Sequence, residues 1–167
     1  MSDVFAIRPA VREDAATIYG FIRGIAEYEK MSDEVVGTAA DVEHTIFDER
    51  QAEVLLAEEN GVPVGFALYF YNYSTFKTRH GLWLEDLFVL PSHRGKGYGK
   101  ALLLELTRVA REHNCGRMEW TCLDWNTPSI AFYKSLGARP MSEWTTYRLD
   151  EEDLARLSPS PGQPSKE

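Results

Sequence analysis

The chain contains 167 residues, of which 44% are hydrophobic and 26% are charged, a composition typical of a globular protein with a sizeable core. Its formal net charge of −8 and its isoelectric point near 5.1 argue against nucleic acid as the main partner. No hydrophobic run is long enough to span a membrane, and Met1-Ser2-Asp3 leads directly into a predicted strand instead of a signal peptide. We therefore expect no membrane partner and a cytoplasmic location.

The two cysteines give no indication of a metal site. Cys115 and Cys122 have no Cys or His neighbours at ligand spacing, so we expect no bound metal. So few cysteines also suit a reducing compartment. One domain is predicted over residues 1–157, and the sequence SPSPGQPSKE at 158–167 predicts a disordered C-terminal tail.

The first half of the chain predicts three strands and two helices. Apolar residues recur at helical spacing between Ile18 and Ile25, and Asn60-Gly61 is typical of a hairpin turn. Residues 27–60 contain eleven acidic side chains, which form either a solvated surface or a field that concentrates a cationic amine. The predicted elements are a strand at 4–8, helices at 13–29 and 39–49, and strands at 53–58 and 64–73.

The second half of the chain alternates strands and helices. One helix has a complete set of boundary signals, with Thr127 as N-cap, Pro128 at the first position and Gly137 as the stop. The whole order of elements predicts an α/β (α+β) fold built on a mixed sheet. The predicted elements are strands at 83–90 and 117–123, helices at 100–113 and 127–137, closing strands within 138–149 (the clearer at 144–149), and a short helix at 150–157.

The strand at 83–90, WLEDLFVL, contains two adjacent carboxylates in an otherwise apolar run. A carboxylate buried without a partner lowers the stability of the fold, so the presence of Glu85 and Asp86 in this strand requires an explanation. One reason is catalysis, because burial raises the pKa of a carboxyl group towards the range useful to a general base. The other is that both side chains only bond neighbouring loops. The pattern by itself leaves the two open.

The loop that follows this strand has the features of a diphosphate site. Its alternate glycines at 95, 97 and 99 let the backbone approach a ligand closely, and the predicted helix behind them favours anions at its N-terminus. Arg94, Lys96 and Lys100 add positive charge. A tight glycine turn that binds nothing is the alternative.

The spacing of this loop resembles one family in particular. A nucleotide P-loop and a dinucleotide fingerprint both require other glycine spacings. The sequence R-G-x-G-x-G from Arg94 to Gly99 resembles the pyrophosphate-binding motif of the GNAT acetyl-CoA-dependent N-acetyltransferases. The resemblance implies a mixed, mostly antiparallel central sheet flanked by helices, and acetyl-CoA as the donor.

Acetyl transfer to an amine requires an anchored donor, a base for the ammonium, polarisation of the carbonyl and an acid for the leaving thiolate. Glu85 is the candidate base, directly or through a water, and the backbone N–H groups near Phe88 and Val89 are candidates for polarising the carbonyl. Tyr133 is the candidate acid, although a tyrosine on an amphipathic helix is more often a core residue. Asn126 is either a ligand of the pantetheine amides or a simple turn residue.

Several further stretches resemble the spermidine/spermine (diamine) acetyltransferase family. They are Ile7 to Ala10, Glu27 to Lys30, Leu84 to Asp86, and Trp125-Asn126 through Phe132 to Lys134. The resemblance supports Tyr133 as the acid, includes Glu85 in the amine and base site, and implies a homodimer. With the charge of the loop, it assigns donor contacts to Leu87, Phe88, Val89, Arg94, Gly95, Lys96, Gly97, Tyr98, Gly99, Lys100, Asn126, Ser129 and Tyr133. It assigns substrate contacts to Tyr28, Glu29, Glu85, Asp86, Glu119, Trp120, Thr121 and Glu143.

One departure from the family narrows the expected substrate. Polyamine enzymes resemble one another in an acidic residue and a tryptophan before the Leu-Glu-Asp strand, whereas this chain has Tyr73-Ser74-Thr75-Phe76-Lys77 there. That loop is similar to the thialysine Nε-acetyltransferase branch. Loss of one charged hydrogen bond costs on the order of 1.5–3 kcal/mol, which disfavours a long polyamine. We expect a thialysine-like amine, with a polyamine, a protein amine or a catalytically silent CoA-binding module as alternatives.

Overall fold

The structure is a computed structural model that describes residues 2–162. These residues divide after Thr121 into two compact units. The prediction of a single domain over residues 1–157 stays a prediction. Of the predicted tail, residues 158–162 form no helix or strand, and residues 163–167 lie outside the described part of the chain.

A five-stranded sheet organises the first unit, in the order β1-β2-β3-β4-β5. Neighbours from β1 to β4 are antiparallel and β4–β5 is parallel, which confirms the predicted mixed, mostly antiparallel sheet. Asn60-Gly61 forms the predicted β2–β3 turn, since both residues have positive φ. The strands are β1 Phe5–Pro9, β2 Glu53–Glu59, β3 Val62–Ser74, β4 Arg79–Val89 and β5 Met118–Glu119.

The described residues form five α-helices: α1 Ala15–Tyr28, α2 Ala39–Val42, α3 Tyr98–Glu112, α4 Thr127–Ser135 and α5 Glu151–Leu157. The predicted helix at 39–49 begins as α2, where Thr38 and Asp41 form a capping box, and continues as a π-helical segment at Glu43–Asp48. Among the described residues, no helix is long and apolar enough to cross a membrane.

The core places the C-terminal end of α1 beside β4. Ile18 and Phe21 of α1 pack in one cluster with Phe66 of β3 and Phe88 of β4. The Phe21 ring lies 5.4 Å from that of Phe66 and 6.0 Å from that of Phe88, centroid to centroid. Side chains of this size account for much of the burial energy of a core. The residues that follow Phe21 along α1 therefore reach the same part of β4 that carries the two carboxylates.

In the C-terminal third, one predicted strand is much shorter than expected and the prediction of closing strands is wrong. The predicted strand at 117–123 contains only two strand residues, β5, which pair with Leu82 and Trp83. Residues 138–149, all of them described, contain no strand. Trp144 is 72% exposed and Tyr147 is 92% exposed. A β-like pattern forms a strand only where a neighbouring strand satisfies its backbone groups, and no strand pairs with this segment.

Candidate active site

A β-bulge in β4 sets the direction of both carboxylates. Leu68 of β3 pairs with Asp86 and the next residue, Tyr69, pairs with Leu84, so Glu85 is the extra residue in the ladder. Two residues of a bulged strand face one residue of the partner, and the strand bends there. Adjacent residues of a regular strand point to opposite faces, and the bulge removes that constraint at Glu85 and Asp86.

The two carboxylates have different surroundings. Glu85 is exposed and accepts a hydrogen bond of 2.9 Å from the indole Nε1 of Trp83. Asp86 is partly buried. Burial, and after it the negative charges of Glu85 and Glu29, raises the pKa of Asp86 to about 6. The buried environment that the sequence predicts for Glu85 is therefore found at Asp86, because the bulge leaves Glu85 on the exposed side of the pair.

The end of α1 adds a third carboxylate. Lys30 adopts a φ of 59°, and Met31 N–H donates to the carbonyl of Ala26 at 2.7 Å, so the helix stops beside β4. Burial raises the pKa of Glu29, and its charge acts on Asp86. The cluster of Glu29, Glu85 and Asp86, hereafter the carboxylate cluster, is an electronegative site that a cationic amine would neutralise.

One edge of β4 carries backbone N–H groups that point away from β3 beside this cluster. Leu90 N–H donates to Val64 of β3 at 2.8 Å. Because N–H directions alternate along an antiparallel strand, the N–H groups of Leu87 and Val89 point away from β3. β5 pairs with β4 only at Leu82 and Trp83, so within the described residues no strand pairs with β4 at 84–89 on that side. This is the strand separation that the proposed polarisation of a carbonyl requires.

The loop at 94–99 has the backbone conformation that its glycines allow. Gly95 has a φ of 80° and Gly97 a φ of 85°, a region that favours glycine. A Cβ placed on either residue meets no atom within 4 Å, so the space above both is open. Gly97 is also the N-cap of α3, whose first N–H groups have no partner within the helix. An anionic group fits this end of α3.

The predicted cations of the loop differ in what they contact. Arg94 donates from Nε to the carbonyl of Val89 at 2.9 Å, and its guanidinium carbon lies 5.0 Å from the ring centroid of Tyr28 and 5.5 Å from that of Phe88. Arg94 therefore links the loop to β4 and to the end of α1. Lys96 forms an ion pair with Glu59, and Lys100 is exposed on α3.

The remaining predicted residues of the first unit lie at and after β5. Glu119 pairs with Trp83 of β4 and forms an ion pair of 2.9 Å with Arg117 Nε. Trp120 and Thr121 follow without strand geometry. Strand β4 therefore connects this segment with the carboxylate cluster, since Trp83 donates to Glu85.

In the second unit, α4 carries the other predicted donor contacts. Its N-cap is Asn126, whose side-chain oxygen accepts from Ser129 N–H at 3.4 Å, so the prediction of Thr127 as cap is wrong by one residue. An Asn with non-helical backbone satisfies a free helix N–H better than the Thr that follows it. Tyr133 is partly buried, with its ring 5.5 Å from that of Phe132. Glu143 is exposed outside any helix or strand.

Comparison with known proteins decides the family. The model of the acetyltransferase (GNAT) family matches residues 9–138, more than half of the chain. The chain belongs to the GNAT family. The prediction drawn from the loop spacing is thereby confirmed, and the protein is an acyltransferase enzyme.

Its relatives within the GNAT family include thialysine and polyamine-related enzymes. The bovine thialysine N-epsilon-acetyltransferase is 35% identical over 164 residues, covering 91% of this chain and 96% of that protein. A human spermidine/spermine N(1)-acetyltransferase-like protein is 34% identical, covering 93% of this chain and 24% of that protein. Among solved structures, an integron cassette protein from Vibrio cholerae has a TM-score of 0.78 at 30% identity, covering 93% of this chain and 98% of its own.

The sequence analysis did not predict two features of this candidate site. Glu59 contacts the loop from 37 positions away, and no local pattern predicts so distant a pairing. The division of roles between Glu85 and Asp86 depends on the bulge, whose only sequence signal is two adjacent carboxylates in an apolar run. Among the described residues, no group of three or more His, Cys, Asp or Glu side chains is arranged to hold a metal ion.

Proposed function

We propose that this GNAT enzyme transfers an acetyl group from acetyl-CoA to the primary amine of thialysine or a similar lysine-like amine, by direct attack in a ternary complex. The observation that carries the proposal is the carboxylate cluster beside the open edge of β4 and the glycine loop. Negative charge for a cation and backbone donors for an anion lie within one unit of the fold.

The donor side uses backbone groups more than side chains. The N–H groups at the start of α3 and the open space above Gly95 and Gly97 suit a diphosphate. The N–H groups of Leu87 and Val89 suit a carbonyl oxygen on which charge develops during acyl transfer. These features support acetyl-CoA as the donor.

The amine side uses the carboxylate cluster. An ammonium entering it is held by Glu29, Glu85 and Asp86, and above a pH of about 6 Asp86 is ionised and able to take the ammonium proton. The amine nitrogen then forms a bond to the acetyl carbon while the carbon–sulfur bond breaks. Tyr133 gives its proton to the departing thiolate, a role that rests on the family resemblance.

The loop between β3 and β4 supports a short substrate. Phe76 is 86% exposed at its tip, and no carboxylate occurs from Tyr73 to Lys77. A polyamine would leave its distant ammonium without a charged partner there. The human spermidine/spermine-like relative keeps a polyamine as the second candidate substrate. The family resemblance also leads us to propose a cytoplasmic homodimer.

Steady-state acetyl transfer with thialysine, lysine, spermidine and a basic peptide tests the proposal. We expect thialysine to have the highest kcat/KM, and Tyr133→Phe to lower kcat about 10²- to 10⁴-fold with little change in acetyl-CoA affinity. A higher kcat/KM for spermidine would reject the small-amine assignment and keep the mechanism. If acetyl-CoA binds and no amine reacts, the chain is a silent CoA-binding module instead.

A further inference from the structure

Glu59, at the end of β2, is bonded by three side chains of the segment that contains the donor loop. Its Oε1 accepts from Lys96 Nζ at 2.6 Å and from the Tyr98 hydroxyl at 2.5 Å, and its Oε2 lies 3.1 Å from His93 Nε2. The carboxylate is only 11% exposed. Charge-assisted hydrogen bonds of this kind are stronger than neutral ones and fix geometry as well.

The partners of Glu59 lie on both sides of the glycines. His93 precedes the loop, Lys96 is between Gly95 and Gly97, and Tyr98 begins α3. A second contact supports the same end of the loop, because the Tyr98 ring stacks on Phe5 of β1 at a centroid distance of 4.2 Å. The loop is therefore tied to β1 and β2 at its base, while the space above its glycines stays open.

The ion pair changes the role expected of Lys96. An ammonium 2.6 Å from one carboxylate oxygen, and 3.8 Å from Asp3, already has its charge compensated. The ammonium has three N–H donors, so a diphosphate would either share it with Glu59 or draw it away, and in the second case a carboxylate with little exposure would lose a charged partner. The backbone N–H groups of the loop can bind a diphosphate without disturbing an ion pair.

We propose that Glu59 is a positioning residue for the donor-binding loop, and that Lys96 braces the loop against it instead of contacting the diphosphate. The inference rests on the proposed function only in taking residues 94–99 as the donor site. The two possible roles of Lys96 predict opposite changes in donor affinity when the Glu59 carboxylate is removed. If Lys96 were a diphosphate ligand restrained by Glu59, removing the carboxylate would release it and tighten donor binding. If Glu59 positions the loop, the same change weakens binding.

Calorimetric titration of acetyl-CoA without amine, followed by kinetics, separates these cases. We expect Glu59→Gln to raise the Kd about tenfold, because the amide keeps an acceptor oxygen but removes the negative charge that the three side chains share, so more of the loop must be ordered on binding. We expect smaller increases for Lys96→Met and for Tyr98→Phe, which keeps the stack on Phe5. The double variant Glu59→Gln/Lys96→Met should bind no more weakly than Glu59→Gln alone. For Glu59→Gln, the loss should appear in the KM for acetyl-CoA and not in kcat at saturating acetyl-CoA.

Glu53→Gln is the matched control. Glu53 lies on the same strand and accepts a hydrogen bond of 3.2 Å from the Tyr69 hydroxyl, away from the loop. It should leave the Kd for acetyl-CoA unchanged. Thermal unfolding of every variant shows whether it is folded. If Glu59→Gln is not folded, the Kd values of Lys96→Met and Tyr98→Phe test the proposal instead.

Tighter or unchanged binding by Glu59→Gln would overturn the proposal. So would a Lys96→Met variant that binds more weakly than Glu59→Gln and whose affinity depends less on salt, since a direct phosphate contact has that signature. If the wild-type chain does not bind acetyl-CoA, the inference and the proposed function both fail. If it binds acetyl-CoA and acetylates no amine, only the proposed function fails, because the comparison of affinities still stands.

Discussion

At the scale of single residues, the candidate site contains two neighbouring carboxylates that differ in solvent exposure. Glu85 is exposed and accepts a hydrogen bond from Trp83, whereas Asp86 is partly buried and lies within the electrostatic influence of Glu85 and Glu29. A charged group held in such surroundings is often functional, because the folding energy that it costs has to be compensated elsewhere. The same environment therefore predicts an effect on stability and an effect on catalysis.

Asp86→Asn should stabilise the protein at neutral pH and lower its activity. The pKa of Asp86 is raised from 3.8 to about 6, so between these values the folded state holds a proton that the unfolded chain has lost. The free energy of unfolding of the wild type therefore falls as pH rises through this interval. By pH 7 the penalty is on the order of 2–3 kcal/mol. Urea denaturation at pH 4 and pH 7 should show the difference, and the Asn variant should lack it.

The control for this prediction is Glu85→Gln, whose stability should change less because Glu85 is exposed. In activity, the wild-type kcat/KM for the amine should rise with pH through about 6, as Asp86 ionises. A wild-type profile that is flat between pH 5 and pH 7 would contradict the assignment of Asp86 as the proton acceptor.

At the scale of elements, β4, the glycine loop and α3 follow one another directly along the chain. β4 ends at Val89 and α3 begins at Tyr98. The loop turns on left-handed glycines and is attached by Arg94 to β4. In the proposed function, backbone N–H groups of the loop bind acetyl-CoA, so the conformation of the loop should matter more than the charge of any one side chain. A change of backbone geometry should therefore affect donor binding directly.

Gly97→Ala, at the N-cap of α3, tests whether donor binding depends on the backbone conformation of the loop. Gly97 has a φ of 85°, where an alanine costs about 1–2 kcal/mol. The matched control is Gly61→Ala in the β2–β3 turn, where φ is 78° and a Cβ also meets no atom within 4 Å. We expect similar losses in the free energy of unfolding and a Kd for acetyl-CoA that rises about tenfold for Gly97→Ala alone. Equal affinities in the two variants would show that the loop backbone does not bind the donor.

At the scale of the whole molecule, the net charge of −8 favours a cationic amine over an anionic one. Many of the acidic side chains at 27–60 are exposed, among them Asp33 and Glu34. Exposed charges act over a distance that salt shortens, from about 30 Å at 0.01 M ionic strength to about 8 Å at 0.15 M. Their contribution to substrate capture should therefore depend on salt.

We expect kcat/KM for the amine to fall several-fold as ionic strength rises from 0.01 to 0.15 M, with kcat nearly unchanged, because steering affects encounter and not the chemical step. Replacing both Asp33 and Glu34 by their amides should reduce this dependence. Steady-state kinetics at four or five salt concentrations would measure it. The same slope in the double variant would mean that these residues form only a solvated surface.

The amino-acid sequence by itself determined the family, the sheet type and the position of the glycine loop. These depend on local signals: glycine spacing between Arg94 and Gly99, the hairpin at Asn60-Gly61, and apolar periodicity. The tertiary structure decided what depends on residues distant in sequence. The bulge opposite Leu68 leaves Glu85 exposed while Asp86 is partly buried. Glu59 forms an ion pair with Lys96, which lies 37 positions further along the chain. The segment at 138–149 forms no strand because no neighbouring strand pairs with it. Local patterns specify backbone preference, whereas pairing, burial and charge compensation arise only when distant segments meet.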